Sequence, residues 1–62
     1  MKSAAIIQKL TKAGFEKVGQ RGSHIKLHNP KTGLTTVVPH PKKDLPVGTV
    51  VAIERQTGVR LR

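Results

Sequence analysis

Gln20-Arg21-Gly22-Ser23-His24-Ile25-Lys26-Leu27-His28 is the stretch whose reading decides the fold. Arg21-Gly22 reads as a turn, because glycine tolerates positive φ without steric cost. From Ser23 to His28 polar and apolar residues alternate strictly, the period of a half-buried strand. Ile25 and Leu27 then face a core, while His24, Lys26 and His28 share the opposite face.

Working outward, Glu16 to Gln20 reads as a short strand before the turn, with Val18 pointing inward. Phe15, the one aromatic residue, is expected to anchor the junction with a preceding helix. That helix is capped by Ser3 and carries Ile6, Ile7, Leu10 and Ala13 on one stripe, with Lys2, Lys9 and Lys12 toward water. Gly14 ends it in a left-handed conformation. On the other side, Asn29-Pro30-Lys31-Thr32-Gly33 is a turn, and Leu34 to Val38 is a third strand rich in Thr and Val. Pro39-His40-Pro41 cannot continue a central strand, since proline lacks a ladder donor. Lys42, Lys43 and Asp44 prolong the loop. A second helix starts near Pro46 or Val47 with Asp44 at or near its N-cap. Its inner stripe is Val47, Val50, Ile53 and Thr57; Gly58 stops it, and Val59-Arg60-Leu61-Arg62 reads as a basic tail. The order is α-β-β-β-α in a single α+β domain over residues 1–62. Two helices cover one face of a three-stranded antiparallel sheet, and the other face stays open. The double-stranded-RNA-binding domain shares this layout, and a layout does not fix a function.

Composition narrows the function classes. The chain has 62 residues and no cysteine, so disulfides and thiolate metal sites are excluded. No apolar run is long enough to cross a bilayer, and the apolar part of the N-terminus is too short for a secretory signal; a cytoplasmic location is expected. Twelve Lys and Arg stand against Glu16, Asp44 and Glu54, a net charge of +9. That excess favours a polyanionic partner, nucleic acid first. The cations are spread over every element instead of lying opposite one apolar helical face, which argues against a membrane surface.

The three histidines do not make a metal site. On a strand, the Cα atoms of His24 and His28 lie about 13 Å apart, too far for two imidazoles to share an ion at bonds of about 2.1 Å without leaning fully together. Ser23 and His24 are adjacent, so their side chains point to opposite faces and do not form a nucleophile–base pair. Three scattered acids do not assemble a carboxylate pair. RNA lowers what is required, because its 2′-hydroxyl is an internal nucleophile and the protein need supply only proton transfer and charge stabilisation. A histidine suits the first near neutral pH; Lys26 and Arg21 suit the second. The residues alone leave three roles open for His24: a catalytic group, a contact in a non-catalytic nucleic-acid-binding module, or strand surface on a small basic protein whose partner is acidic.

Several motifs, in order, resemble the HicA family of toxin ribonucleases from toxin–antitoxin systems: Ala13-Gly14-Phe15 closing the first helix, Gly22-Ser23-His24 on the second strand, Val38-Pro39 closing the third, and Gly48-Thr49-Val50 leading into a helix with Ile53 and Gly58. The resemblance spans nearly the whole chain. It implies a double-stranded-RNA-binding-like fold, cleavage of mRNA without metal or cofactor, and a HicB-type antitoxin that covers the active face. It also implies that His24, the histidine of the Gly-Ser-His motif, is catalytic. Gly22 and Ser23 are then expected to shape the turn presenting His24, and Arg21, Lys26, His28, His40, Lys42 and Lys43 to contact RNA. The chain departs from the family pattern where His40 directly follows Pro39, and where Leu27 stands at a position often aromatic.

Overall fold

The computed structural model describes residues 1–62 and has the order α1 (Ser3–Lys12), β1 (Glu16–Arg21), β2 (His24–His28), β3 (Thr35–Pro39), α2 (Val47–Thr57). The alternation in β2 is observed as expected: Ile25 and Leu27 are buried, and His24 and Lys26 are exposed. β2 is the central strand, antiparallel to β1 on one side and to β3 on the other. Pro39 ends β3, which it can do because β3 is an edge strand. The core lies on the inner face, where Ile6 and Leu10 of α1 and Val50 and Ile53 of α2 meet Ile25, Leu27 and Val38 of the sheet. Phe15 completes the α1–β1 junction and is fully buried. This is the expected α+β layout, with both helices on one face of the sheet.

β1 overhangs the helices, and none of its residues is buried. Val18 is 55% exposed, not inward-facing. It has no partner in β2: pairing passes from Lys17↔Leu27 to Gly19↔Lys26, so Val18 is the extra residue of a β-bulge. The bulge also carries Arg21 into β1 as the partner of His24. The connection is therefore a two-residue loop, Gly22-Ser23, instead of a turn at Arg21-Gly22. Gly22 takes φ 58° and no non-glycine residue in the chain has positive φ, the sign pattern of a type II′ hairpin.

Both helix caps differ from expectation. Ser3 is not a cap but the first residue of α1, and it is buried. Its hydroxyl bonds to the β3–α2 loop, so it serves tertiary structure. Pro46, not Asp44, precedes α2; Asp44 instead pairs with the N-terminal amine at 3.2 Å. Val47 is exposed, and the inner stripe of α2 is Val50, Ile53 and Thr57. Ala13 is exposed and Ile7 half-buried, so the buried stripe of α1 narrows to Ile6 and Leu10.

The last four residues are no loose tail. Leu61 is 1% exposed and belongs to the core, as does Leu45 of the loop before α2. The Glu54 carboxylate holds the segment by accepting the backbone N–H of Leu61 at 2.8 Å and of Arg62 at 3.2 Å, and the Arg62 guanidinium at 3.2 Å. Lys9 Nζ donates to the Leu61 carbonyl at 3.0 Å. The Leu61 N–H is the main reason the Glu54 carboxyl lies below its ordinary value of 4.5, with Arg62 adding to it against an opposing effect of burial. A depressed carboxyl adds stability that is fully present above pH 4.5 and is lost as pH falls through its folded value. Denaturation curves of wild type and Glu54→Gln should therefore differ at neutral pH and converge on acidification below pH 4.5; a difference unchanged down that range would refute the clamp.

A buried Asn29 performs the corresponding service at the other end of the sheet. Its Nδ2 donates to the Ala13 carbonyl at 3.3 Å and its Oδ1 accepts the Lys31 N–H at 2.9 Å. Gly14 has φ 103°, a conformation that strains other residues, and a Cβ there would also sit a tight 3.3 Å from Asn29 Nδ2. Asn29→Ala should cost about 1–3 kcal/mol in urea denaturation, the range for stripping partners from a buried polar site.

Candidate active site on the open sheet face

The bulge at Val18 decides which residues share the outer face. Counting without it from Glu16↔His28, Val18 would lie opposite Lys26 and Gln20 opposite His24. With it, Gly19 pairs with Lys26 and Arg21 with His24. Adding β3, the face carries three cross-strand rows: Arg21–His24–Pro39, Gly19–Lys26–Val37 and Glu16–His28–Thr35. The first two rows, with Gln20, enclose an open depression of about 390 Å³ lined by Gly19, Gln20, Arg21, His24, Lys26 and Val37. One imidazole and two cations thus converge on one concavity. Sequence alone brings His24 and Lys26 together; Arg21 joins them only through the bulge.

The histidines differ in what their rings do. The His28 ring Nδ1 lies 2.9 Å from Thr35 Oγ1. The His40 Nδ1 lies 2.7 Å from the buried Ser3 hydroxyl. His24 alone makes no ring hydrogen bond within the protein, and both its nitrogens are available to a ligand.

The other expected RNA contacts fall elsewhere. Pro39 shares the face of His24, so the next residue turns inward, and His40 is half-buried toward α1. Ser23 touches it through the backbone, its carbonyl accepting the His40 N–H at 2.6 Å. His40, Lys42 and Lys43 line a second basic depression with Lys2 at the start of α1. His28 stands at the far end of β2. The cations expected to meet RNA are therefore divided between two separate depressions. No three His, Asp or Glu side chains cluster as metal ligands would. Three residues of the lining, Gly19, Gln20 and Val37, are not marked as site residues by the sequence. Gln20 and Val37 signal only strand, whereas a glycine inside a strand is itself a signal of a bulge or an approaching ligand.

The comparisons with known proteins follow the same outline. The family model described as the HicA toxin of bacterial toxin–antitoxin systems matches residues 3–59. The chain belongs to the HicA toxin family. Among solved structures, this HicA chain is similar to one described as the HicA3 and HicB3 toxin-antitoxin complex, with 26% identity over 100% of both chains and a TM-score of 0.79. No curated protein sequence matches significantly. Membership makes the chain a toxin of a toxin–antitoxin system, and no helix in it is long and apolar enough to cross a membrane.

Ser3 is the residue whose role changes most. Its Oγ accepts the Lys42 N–H at 2.8 Å, lies 3.2 Å from the Lys42 carbonyl and contacts the His40 ring, while its own N–H donates to Lys42 O at 2.9 Å. Ser3→Ala leaves the Lys42 N–H and the His40 ring without their partner. It should lower unfolding free energy by about 1–3 kcal/mol and shift the His40 ring resonances by NMR; an unchanged ring environment would show that the contact is not maintained in solution.

Proposed function

We propose that this HicA-family toxin is an endoribonuclease that cuts mRNA, with His24 as the proton-transfer group and Arg21 and Lys26 holding the reacting phosphate. The observation that carries the reading is the one histidine with a free ring standing between two cations in an open depression. In the reaction, the 2′-oxygen attacks the adjacent phosphorus and forms a P–O2′ bond as the P–O5′ bond breaks. The 2′-hydroxyl proton passes to a ring nitrogen of His24, and the departing 5′-oxygen takes a proton from the imidazolium or from water. The products are a 2′,3′-cyclic phosphate and a 5′-hydroxyl. Arg21 and Lys26 oppose the charge that builds on the non-bridging oxygens, where stabilisation counts most. No metal is needed to make the nucleophile, and the scattered acids offer no group of ligands for one.

The remaining expected contacts lengthen the track. His40, Lys42 and Lys43 flank the turn and guide the phosphates beyond the cut, while His28 touches the strand on the other side. The proposed partner is a HicB-like antitoxin, a reading supported by the HicA3 and HicB3 complex. An acidic antitoxin surface laid over the open face would compete with phosphate for Arg21, Lys26 and His24. The reaction and the partner both belong in the cytoplasm.

Three arms test the activity. Purified protein incubated with RNA, with matched DNA, and with RNA carrying 2′-O-methyl groups should cut only the unmodified RNA, chelator or not. His24→Ala, with an unchanged circular-dichroism spectrum, should lose roughly 10² to 10⁴ in rate, the contribution of one positioned acid–base group. RNA that is shifted but intact would instead make the protein a binding module, and a fully active His24→Ala would remove the histidine from the mechanism.

A further inference from the structure

We propose that Gly19 and Val37 frame a nucleobase subsite beside the reacting phosphate, and that the missing side chain at Gly19 sets which nucleotides this toxin accepts. The inference rests on the ribonuclease reading and adds a substrate-selecting element to it.

Neither backbone conformation nor crowding requires glycine at position 19, although it follows the bulge. It is not among the residues with positive φ, so its backbone conformation is open to any side chain. A Cβ built on it would find no heavy atom within 4 Å, so no close approach requires the small residue. Glycine also weakens a strand, through its entropy and its lack of a side chain to pack. What its bareness does provide is space: it lies opposite Lys26 in the row next to His24, and it lines the depression. On the far side of Lys26, Val37 is 45% exposed and is the one apolar side chain lining that depression. Within a depression otherwise lined by Gly19, Gln20, Arg21, His24 and Lys26, the Val37 side chain is the surface that can receive something apolar and flat.

The chemistry of the occupant follows. The phosphate belongs to Arg21, Lys26 and His24, and the group attached to it on the Gly19–Val37 side is a nucleoside. Phe15, the one residue among Phe, Tyr and Trp, is buried in the core, so no such side chain offers a stacking platform on this face. The base is held between the Val37 methyl groups and the Arg21 guanidinium, whose plane stacks on bases. The floor at Gly19 admits the base edge because nothing projects from it.

The experiment compares wild type with Gly19→Val, whose β-branched side chain suits a strand, and with Gly19→Ala as the milder variant. Each is assayed on an RNA with one defined cleavage position, and on the same RNA with an abasic nucleotide on either side of it. The expected result is native circular dichroism and a melting temperature at or above wild type for both variants. Gly19→Val should lose about tenfold or more in kcat/KM, the size of one base contact, and Gly19→Ala should lose less. One abasic substitution should cost wild type a similar factor and cost Gly19→Val almost nothing further, since both remove the same contact. Equal kcat/KM for wild type and both variants, or full losses that multiply, would overturn the subsite while leaving the ribonuclease reading intact. A Gly19→Val protein that does not fold would overturn the claim that the space is free. If wild type cuts no RNA, the ribonuclease reading fails by itself; the subsite is then decided by fluorescence anisotropy with the intact and abasic strands, and equal affinities would overturn it.

Discussion

Because Val18 has no partner in β2, the residues before and after it in β1 fall on opposite phases of the strand's alternation. Everything on the open face depends on that offset. It moves Arg21 beside His24, places the bare Gly19 beside Lys26, and shortens the hairpin loop to Gly22-Ser23. Without it, Gln20 would stand next to His24, and a neutral amide would replace a guanidinium in that row. A bulge is tolerated here because β1 is an edge strand that no helix covers, so shifting its phase disturbs no packed side chain. The half of the sheet that builds the core, β2 and β3, keeps an unbroken register. The chain thus separates two demands that compete within one strand, packing and presentation, by assigning them to different strands.

A domain this small has little apolar area to bury, and polar clamps make up for it at three junctions. Glu54 draws Leu61 into the core by its backbone N–H, Asn29 ties the end of α1 to the β2–β3 connection, and Ser3 locks the start of α1 to the loop carrying Lys42. All buried side-chain polar atoms are partnered, so none of these clamps leaves an unpaired group behind. Each fixes a segment with little regular structure of its own, where ordering the backbone is otherwise a net loss.

How much of this is legible in the sequence depends on whether the information is local. The alternation of β2, the apolar stripe of α1 and the glycine and proline punctuation all depend on residues within a few positions, and those elements are found where they are expected. Val18 misleads because its face is fixed by counting partners across to Lys26 and Leu27, which local alternation in β1 cannot supply. Ser3 and Asp44 are good caps by residue type, yet Ser3 bonds to Lys42, 39 residues away, and Asp44 to the N-terminal amine, 43 residues away. Leu61 looks like part of a basic tail because its burial depends on Glu54 and Lys9. At the site, His24 and Lys26 are legible as a pair; Arg21 as their neighbour and Gly19 as open space are not.

The placement of the acids completes the electrostatic picture. Glu54 is spent on the C-terminal segment and Asp44 on the N-terminal amine, both away from the depression. Glu16 is the one acid on the open face, and it sits opposite His28, in the row farthest from Arg21 and His24. No carboxylate therefore lies in the rows of His24 and Lys26, and the net charge of +9 is felt there with little local cancellation. Under the proposed reaction this arrangement does two things at once. It concentrates a polyanion at the face, where a field of one sign raises the rate of encounter, and it leaves the ring nitrogens of His24 without an internal carboxylate partner. In that proposed reaction, attraction comes from Arg21 and Lys26, and His24 is left to move the proton.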